Sequence, residues 1–329
     1  MGQVIGGGQS AQEPENLYLA RRSKRFLVRC MAVMAAAFWS RMPLPIVRFV
    51  GGLIGRVLCV LAPERRRTAE QNLEACFGER FTPGQRRHIV VCSCQNIVTS
   101  LMELFKVARL GPERLRKLVD VEGAEHLERA AARGRGVIVV TAHYGNWEVL
   151  GAVIGLLGHR LAVIARDAPD SPTAQLVNSA RRRLGMEVLG RDDLEAMIGW
   201  LREGKVLGIL PDQRQVTGGK IMPFMGRPAT TALGPAVLAL RTGAALVPGF
   251  ARRTPSGRFQ VVFFPELELP EDQAEGLSRG EAVEALSQLV NNAIADEITR
   301  FPDQWLWFHD RWRIGPRRKK KKQAPQQAN

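Results

Sequence analysis

Cysteine is scarce in this 329-residue chain: there are five, an odd number, all in the first third at Cys30, Cys59, Cys76, Cys92 and Cys94. No C-x-x-C pair occurs among them, so neither a disulfide framework nor a zinc site is indicated, and reduced thiols in a cytosol-facing protein fit that usage. Acidic residues are also in short supply, 32 against 47 Lys and Arg, for a net charge of +15. Such a balance calls for an anionic partner, whether nucleic acid, an acidic membrane surface or an acidic protein. Long uncharged apolar runs are missing too. Residues 26–63 are apolar, but Arg29, Arg41, Arg48 and Arg56 interrupt them, so no stretch reaches the roughly 18 to 20 residues of an uninterrupted spanning helix. No internal repeat is apparent.

What is present divides the chain into four parts. Residues 1–25 form a leader, Gly-, Gln- and Ser-rich and then basic at Arg21, Arg22, Lys24 and Arg25, and read as disordered. Residues 26–63, divided by Pro43 and Pro45, read as helices lying in a membrane interface with arginines reaching toward headgroups. A single tilted transmembrane anchor, a cleaved signal peptide and an ordinary pair of core helices are the other readings. Residues 64–316 carry the folded domain. Residues 317–329 open with Arg317, Arg318 and four lysines, a disordered polybasic tail that gains about 1 kcal/mol per basic residue at an anionic leaflet.

Within the folded part, strand and helix signals alternate. Residues 119–123 look like a short edge strand, 136–140 a buried strand, 149–157 a helix, 161–166 a strand, 171–184 a helix, 186–189 a strand, 192–203 a helix and 206–210 a strand. A helix from Ala232 to Arg241 and strands over 245–251 and 258–264 follow. This rhythm predicts an α/β fold, a mixed, largely parallel sheet flanked by helices, with the membrane-associated helical segment before it.

The segment 141–148, Thr-Ala-His-Tyr-Gly-Asn-Trp-Glu, falls where the strand 136–140 hands over to the following helix, the edge at which open α/β sheets place ligands. A His on that turn and a Glu in the helix's first turn can fold together: the carboxylate of Glu148 fixes the tautomer of His143, whose other nitrogen takes a proton from a hydroxyl. Gly145 permits close backbone approach and Asn146 can cap the helix and face the substrate. No Ser or Cys lies inside the segment, so direct attack by an activated substrate hydroxyl is the simplest chemistry. Arg166, Asp212 and Gln213 stand at the ends of two further strands, and three polar strand ends at one edge suggest a single site.

The run His143-Tyr144-Gly145-Asn146-Trp147-Glu148 resembles the His-x4-Asp/Glu motif of glycerolipid acyltransferases, in the form used by the lipid A biosynthesis (lauroyl/myristoyl) acyltransferase family. The resemblance extends from about Phe26 to Arg313. It includes Arg65–Leu73, Arg166, Pro211-Asp212-Gln213, the block Phe224-Met225-Gly226-Arg227-Pro228-Ala229-Thr230-Thr231, Leu246-Val247-Pro248 and Gln304-Trp305-Leu306-Trp307. It implies an O-acyltransferase that moves a fatty acyl chain from acyl-carrier protein, or from acyl-CoA, to a hydroxyl of a lipid A precursor at the cytoplasmic face of the inner membrane. It needs neither cofactor nor metal. His143 and Glu148 would be catalytic, and Asn146, Arg166, Asp212, Gln213, Arg227 and Thr230 would contact substrate. The Gly and Pro residues of the Phe224 block would shape a loop, with Thr230 or Thr231 capping the helix from Ala232 and that helix end holding a phosphate. The run 304–312 would form an interfacial aromatic belt, with His309 a weaker candidate base. Another lipid acceptor, such as phosphatidylinositol mannoside, is the nearest alternative. From a different class, a non-enzymatic basic protein binding membrane or nucleic acid would account for the polybasic ends and the Trp-rich run; the acyltransferase reading expects no nucleic acid.

Overall fold

The computed structural model describes residues 30–31, 33–165, 171–215, 217–270 and 275–314. The basic leader, the polybasic tail and Arg166 lie outside the described residues.

Val137–Val140 (β2) is β-branched on both alternations and buried on both faces, the composition expected of a central strand in a parallel sheet. Around it stand Val119–Glu122 (β1), Leu161–Ala165 (β3), Glu187–Gly190 (β4), Val206–Ile209 (β5), Ala245–Arg253 (β8) and Phe259–Phe263 (β9) in the order β1-β9-β8-β2-β5-β3-β4. All neighbours are parallel except β8 and β9, which pair antiparallel. The sheet is therefore mixed and mostly parallel, with β1 at one edge as its short polar pattern predicts.

Alternate side chains of β2 enter two cores. Val137 and Val139 pack with Ala124–Ala132 (α6) and Trp147–Leu156 (α7); Ile138 and Val140 pack with Leu194–Arg202 (α9), Gly234–Thr242 (α10) and Arg279–Arg300 (α11). Five helices precede the sheet or flank its first strand: helical residues 33–41 (α1), Leu44–Leu61 (α2), Pro63–Phe77 (α3), Pro83–Val107 (α4) and Pro112–Arg116 (α5), with Leu73 and Val90 entering the core of Ile138 and Val107 and Leu115 that of Val139. Pro172–Arg183 (α8) links β3 to β4.

Helices α2 and α4 are the two among the described residues that are long and apolar enough to cross a membrane by length and composition. They also pack on each other. The inward face of α2 is Val47, Gly51, Gly55 and Cys59. A Cβ on Gly55 would stand 2.6 Å from Gln95 Cα, so the helices meet closely because those positions carry no side chain. The opposite face is bare and apolar, with Phe49 73% and Leu61 72% exposed.

One element departs from expectation. Residues 224–231 are not a loop that caps a helix. Gly219–Phe224 (β6) and Arg227–Ala232 (β7) form an antiparallel hairpin, turning at Met225 and Gly226, both with positive φ. Successive positive φ is the signature of a tight two-residue turn. Helix α10 begins only at Gly234, behind Leu233 and without a side-chain cap. The Thr231 hydroxyl instead accepts from Asn291 and Arg311.

Candidate active site

The turn from β2 to α7 is built by backbone. Gly145 takes φ +53°, and a Cβ there would lie 1.9 Å from the Ala251 carbonyl. Only glycine admits that approach, and it lets Asn146 N–H donate to Ala251 O at 2.7 Å. The carboxyl-terminal segment runs against the same turn: Gly145 N–H donates to Gln304 O, Leu306 N–H donates to His143 O, and Tyr144 bridges Trp305.

These contacts present His143 at the carboxyl end of β2, beside the end of β5. Its Nδ1 stands 2.8 Å from Asp212 Oδ1 and its backbone N–H donates to Asp212 Oδ2 at 2.9 Å. Trp305 Nε1 donates to the same Oδ2 at 2.9 Å. Burial pushes the Asp212 carboxyl up, but the charge and hydrogen bond of His143, helped by the Trp305 and His143 N–H groups, hold it below the usual carboxylate range. Burial works against a charged imidazole, yet Asp212, with Glu148 adding, holds His143 above its ordinary value and Arg181 opposes them. An ionised Asp212 only accepts, so Nδ1 carries the proton and Nε2 is left as the basic nitrogen.

Glu148 does not orient His143 by a hydrogen bond. Its buried carboxylate accepts from Arg181 Nε at 3.0 and 3.2 Å and Nη2 at 2.6 Å, and from Trp147 Nε1 at 3.0 Å. In the first turn of α7 it points to α8, while the Trp147 ring lies 5.3 Å from the His143 ring. Arg181 and Trp305 are thus residues the sequence reading missed as site members. Arg181 had no motif around it, and Trp305 lay in a motif read as a membrane belt.

His143 opens onto a cavity of about 1320 Å³. Its polar wall includes Arg181, Gln213, Arg214 and His309. Elsewhere it is apolar, with Leu150, Ile154, Leu161, Val163 and Met186 among the lining, and Gly151 against the Met186 side chain. Leu233, Gly234 and Pro235 at the start of α10 also line it. His309 has a buried Nδ1 without a partner among the described residues, and burial lowers its pKa.

Three expected substrate contacts sit elsewhere. Asn146 is fully buried: its Oδ1 caps α7 at Val149 N and its Nδ2 donates to Glu103. Arg227, on the hairpin, lies over the Trp312 ring outside the cavity wall. Thr230 is not part of the cavity wall either, and its backbone carbonyl accepts from Arg311 and from Gln215 N–H. The aromatic run is no surface belt, since Trp305 and Trp307 are buried, stacked edge to face 4.7 Å apart.

The family described as bacterial lipid A biosynthesis acyltransferase matches residues 18–314 of the chain. The lipid A biosynthesis palmitoleoyltransferase of Escherichia coli K12 is 28% identical over 282 residues, covering 84% of this chain and 88% of that one. The lauroyltransferase of the same organism is 27% identical over 281 residues, with the same coverage of each. A phosphatidylinositol mannoside acyltransferase of Mycobacterium tuberculosis H37Rv is 28% identical over 219 residues, 64% of this chain and 66% of that one.

Proposed function

This chain belongs to the bacterial lipid A biosynthesis acyltransferase family, and on that premise we propose that it moves a fatty acyl chain from acyl-carrier protein to a hydroxyl of a lipid A precursor. The observation that carries the reading is His143 in the wall of a cavity of about 1320 Å³, its Nδ1 engaged by a buried Asp212. His143 Nε2 takes the proton of the acceptor hydroxyl, whose oxygen attacks the thioester carbonyl carbon. The tetrahedral intermediate collapses with cleavage of the carbon–sulfur bond, and the leaving thiolate takes the proton from the imidazolium. Asp212 stabilises that imidazolium, and Glu148 acts through its charge and through Trp147. The apolar part of the cavity accommodates the acyl chain. Gln213 and Arg181 meet the polar substrate groups, a guanidinium being suited to phosphate, and Arg166 is retained as a further phosphate contact.

The membrane surface is the proposed workplace. The bare face of α2 follows in the chain the exposed apolar residues of α1, Met34 and Phe38 among them. Because α2 lies along α4 by its glycine face, an interfacial seating at the cytoplasmic leaflet fits better than an independent span. The net charge of +15 suits anionic lipid and an acidic carrier.

The mycobacterial relative favours a second acceptor, phosphatidylinositol mannoside, and acyl-CoA is the alternative donor proposed with it. Membranes containing the protein, supplied with each thioester and each acceptor, distinguish the two by the mass of the lipid product. A single added acyl mass on the lipid A precursor, absent in His143→Ala that remains folded and membrane-bound, is the expected result. Full activity of His143→Ala would overturn the mechanism.

A further inference from the structure

Helix α2 carries Arg48 toward α4. Its Nε stands 2.5 Å from Oε1 of Glu103, a carboxylate with no solvent exposure, and its Nη1 donates to the Gly257 carbonyl beyond β8. Glu103 has no need of that second charge. Arg253 of β8 already holds its Oε2 through Nε at 3.0 Å and Nη2 at 2.5 Å. Arg48 also leaves its own Nη2 buried without a partner among the described residues, which disfavours the arrangement on stability alone. Its consequence is positional. Glu103 Oε2 accepts from Asn146 Nδ2 at 2.7 Å, and Asn146 Oδ1 accepts from Val149 N–H at 3.1 Å, capping α7. A parallel strut joins them: Ser100 Oγ accepts from Arg253 Nη2 at 2.7 Å and donates to the Gly145 carbonyl at 2.6 Å. Two hydrogen bonds therefore separate a guanidinium on α2 from the turn that carries His143.

Helix α2 is also the element whose other face is bare. It is held to the domain by close packing at Gly51 and Gly55 and by Arg48. We propose that Arg48 is a positioning residue: acting through Glu103, it holds Asn146 and the first turn of α7 in place while α2 lies against α4, so the seating of the membrane-facing helix and the geometry at His143 are coupled. Its meaning for turnover rests on the acyl-transfer reading; the positional link does not.

The test uses the full chain in detergent and measures amide hydrogen exchange across 143–150 together with steady-state transfer. Arg48→Gln removes the charge yet leaves Glu103 paired with Arg253. Arg48→Lys keeps the charge. Gly55→Leu separates α2 from α4 with the ionic network's own residues intact, and remains decisive if Arg48→Gln does not fold. Arg48→Gln and Gly55→Leu are expected to raise exchange at 145–149 about five-fold or more, the size of a lost cap, with β5 and α9 unchanged. They should lower kcat while KM for the donor stays within about two-fold, and Arg48→Lys should recover much of both effects. Wild-type exchange at 145–149 in both variants would overturn the proposal, as would a fall in kcat with no local change in exchange. Raised exchange in a protein whose wild type transfers no acyl group would sustain the coupling and overturn the acyl-transfer reading instead.

Discussion

Asp212 holds His143 twice, by Oδ1 at 2.8 Å from Nδ1 and by Oδ2 on the backbone N–H at 2.9 Å. One carboxylate thereby sets both where the residue sits and which way its ring faces. The other acidic side chain of the site, Glu148, is engaged by Arg181 and reaches His143 only by charge and through the neighbouring indole.

Asp212→Asn keeps the shape but turns an acceptor pair into an amide that no longer stabilises the imidazolium. We expect kcat to fall about 10²- to 10⁴-fold with KM little changed. His143 is raised by Asp212, so the acid limb of kcat/KM should lie above the ordinary imidazole value and move down in the variant. An unmoved limb in a pH–rate profile would rule out Asp212 as its source.

The same pair predicts how stability depends on pH. His143 is raised on folding, so its contribution is fully present below about 6.5 and fades as pH rises through the higher folded value. Asp212 is lowered, so its contribution is present above the ordinary carboxylate value and fades as pH falls through the folded one. Urea unfolding of wild type and Asp212→Asn should differ most between those limits and converge toward either side.

Arg181→Gln removes the charge that opposes Glu148 at His143. The acid limb should rise, and Arg181→Lys should leave it in place. The other charged or titratable groups facing the imidazole, Asp212, Glu148 and His309, are unchanged in both variants. The readout is kcat/KM against pH, and a uniform loss at all pH values would leave Arg181 its substrate contact and packing but no part in tuning His143.

Gly145→Ala sets a methyl group into the Ala251 carbonyl and a side chain into positive φ. A loss of about 3 kcal/mol or more of stability is expected, with loss of activity, measured by chemical denaturation and by transfer.

Chain-length preference should follow the contact of Gly151 with Met186. A Cβ at Gly151 would stand 2.6 Å from Met186 Cε, so Gly151→Val drives that side chain into the cavity and favours shorter donors. Met186→Ala should tolerate longer ones. Each methylene gained or lost is worth about four-fold in kcat/KM, checked with a series of thioesters.

The site was legible where its residues are close in the chain and dark where they are not. His143 could be placed because a β-branched run ends beside it and an apolar helix follows. Asp212 appeared as a polar strand end, but its part as the partner of Nδ1 follows from β2 and β5 being neighbours in the sheet. Asn146 was recognisable as a cap and misplaced as a substrate contact, because Glu103, 43 positions earlier, takes its amide. Arg227 and Thr230 were misplaced because Met225-Gly226 makes a hairpin turn out of a presumed loop.

By itself the sequence determined the periodicities and therefore the α/β class, the two-faced burial of β2, the scarcity of acid and the strand-end position of His143. These are local consequences of side-chain pattern and backbone preference. Only the tertiary structure decided which carboxylate serves the histidine, which arginine serves the remaining one, and that the Trp-rich run is core. Those outcomes depend on which strands become neighbours and which buried polar groups must find partners, and pairs 33, 69 and 93 residues apart meet only after the chain has closed around them.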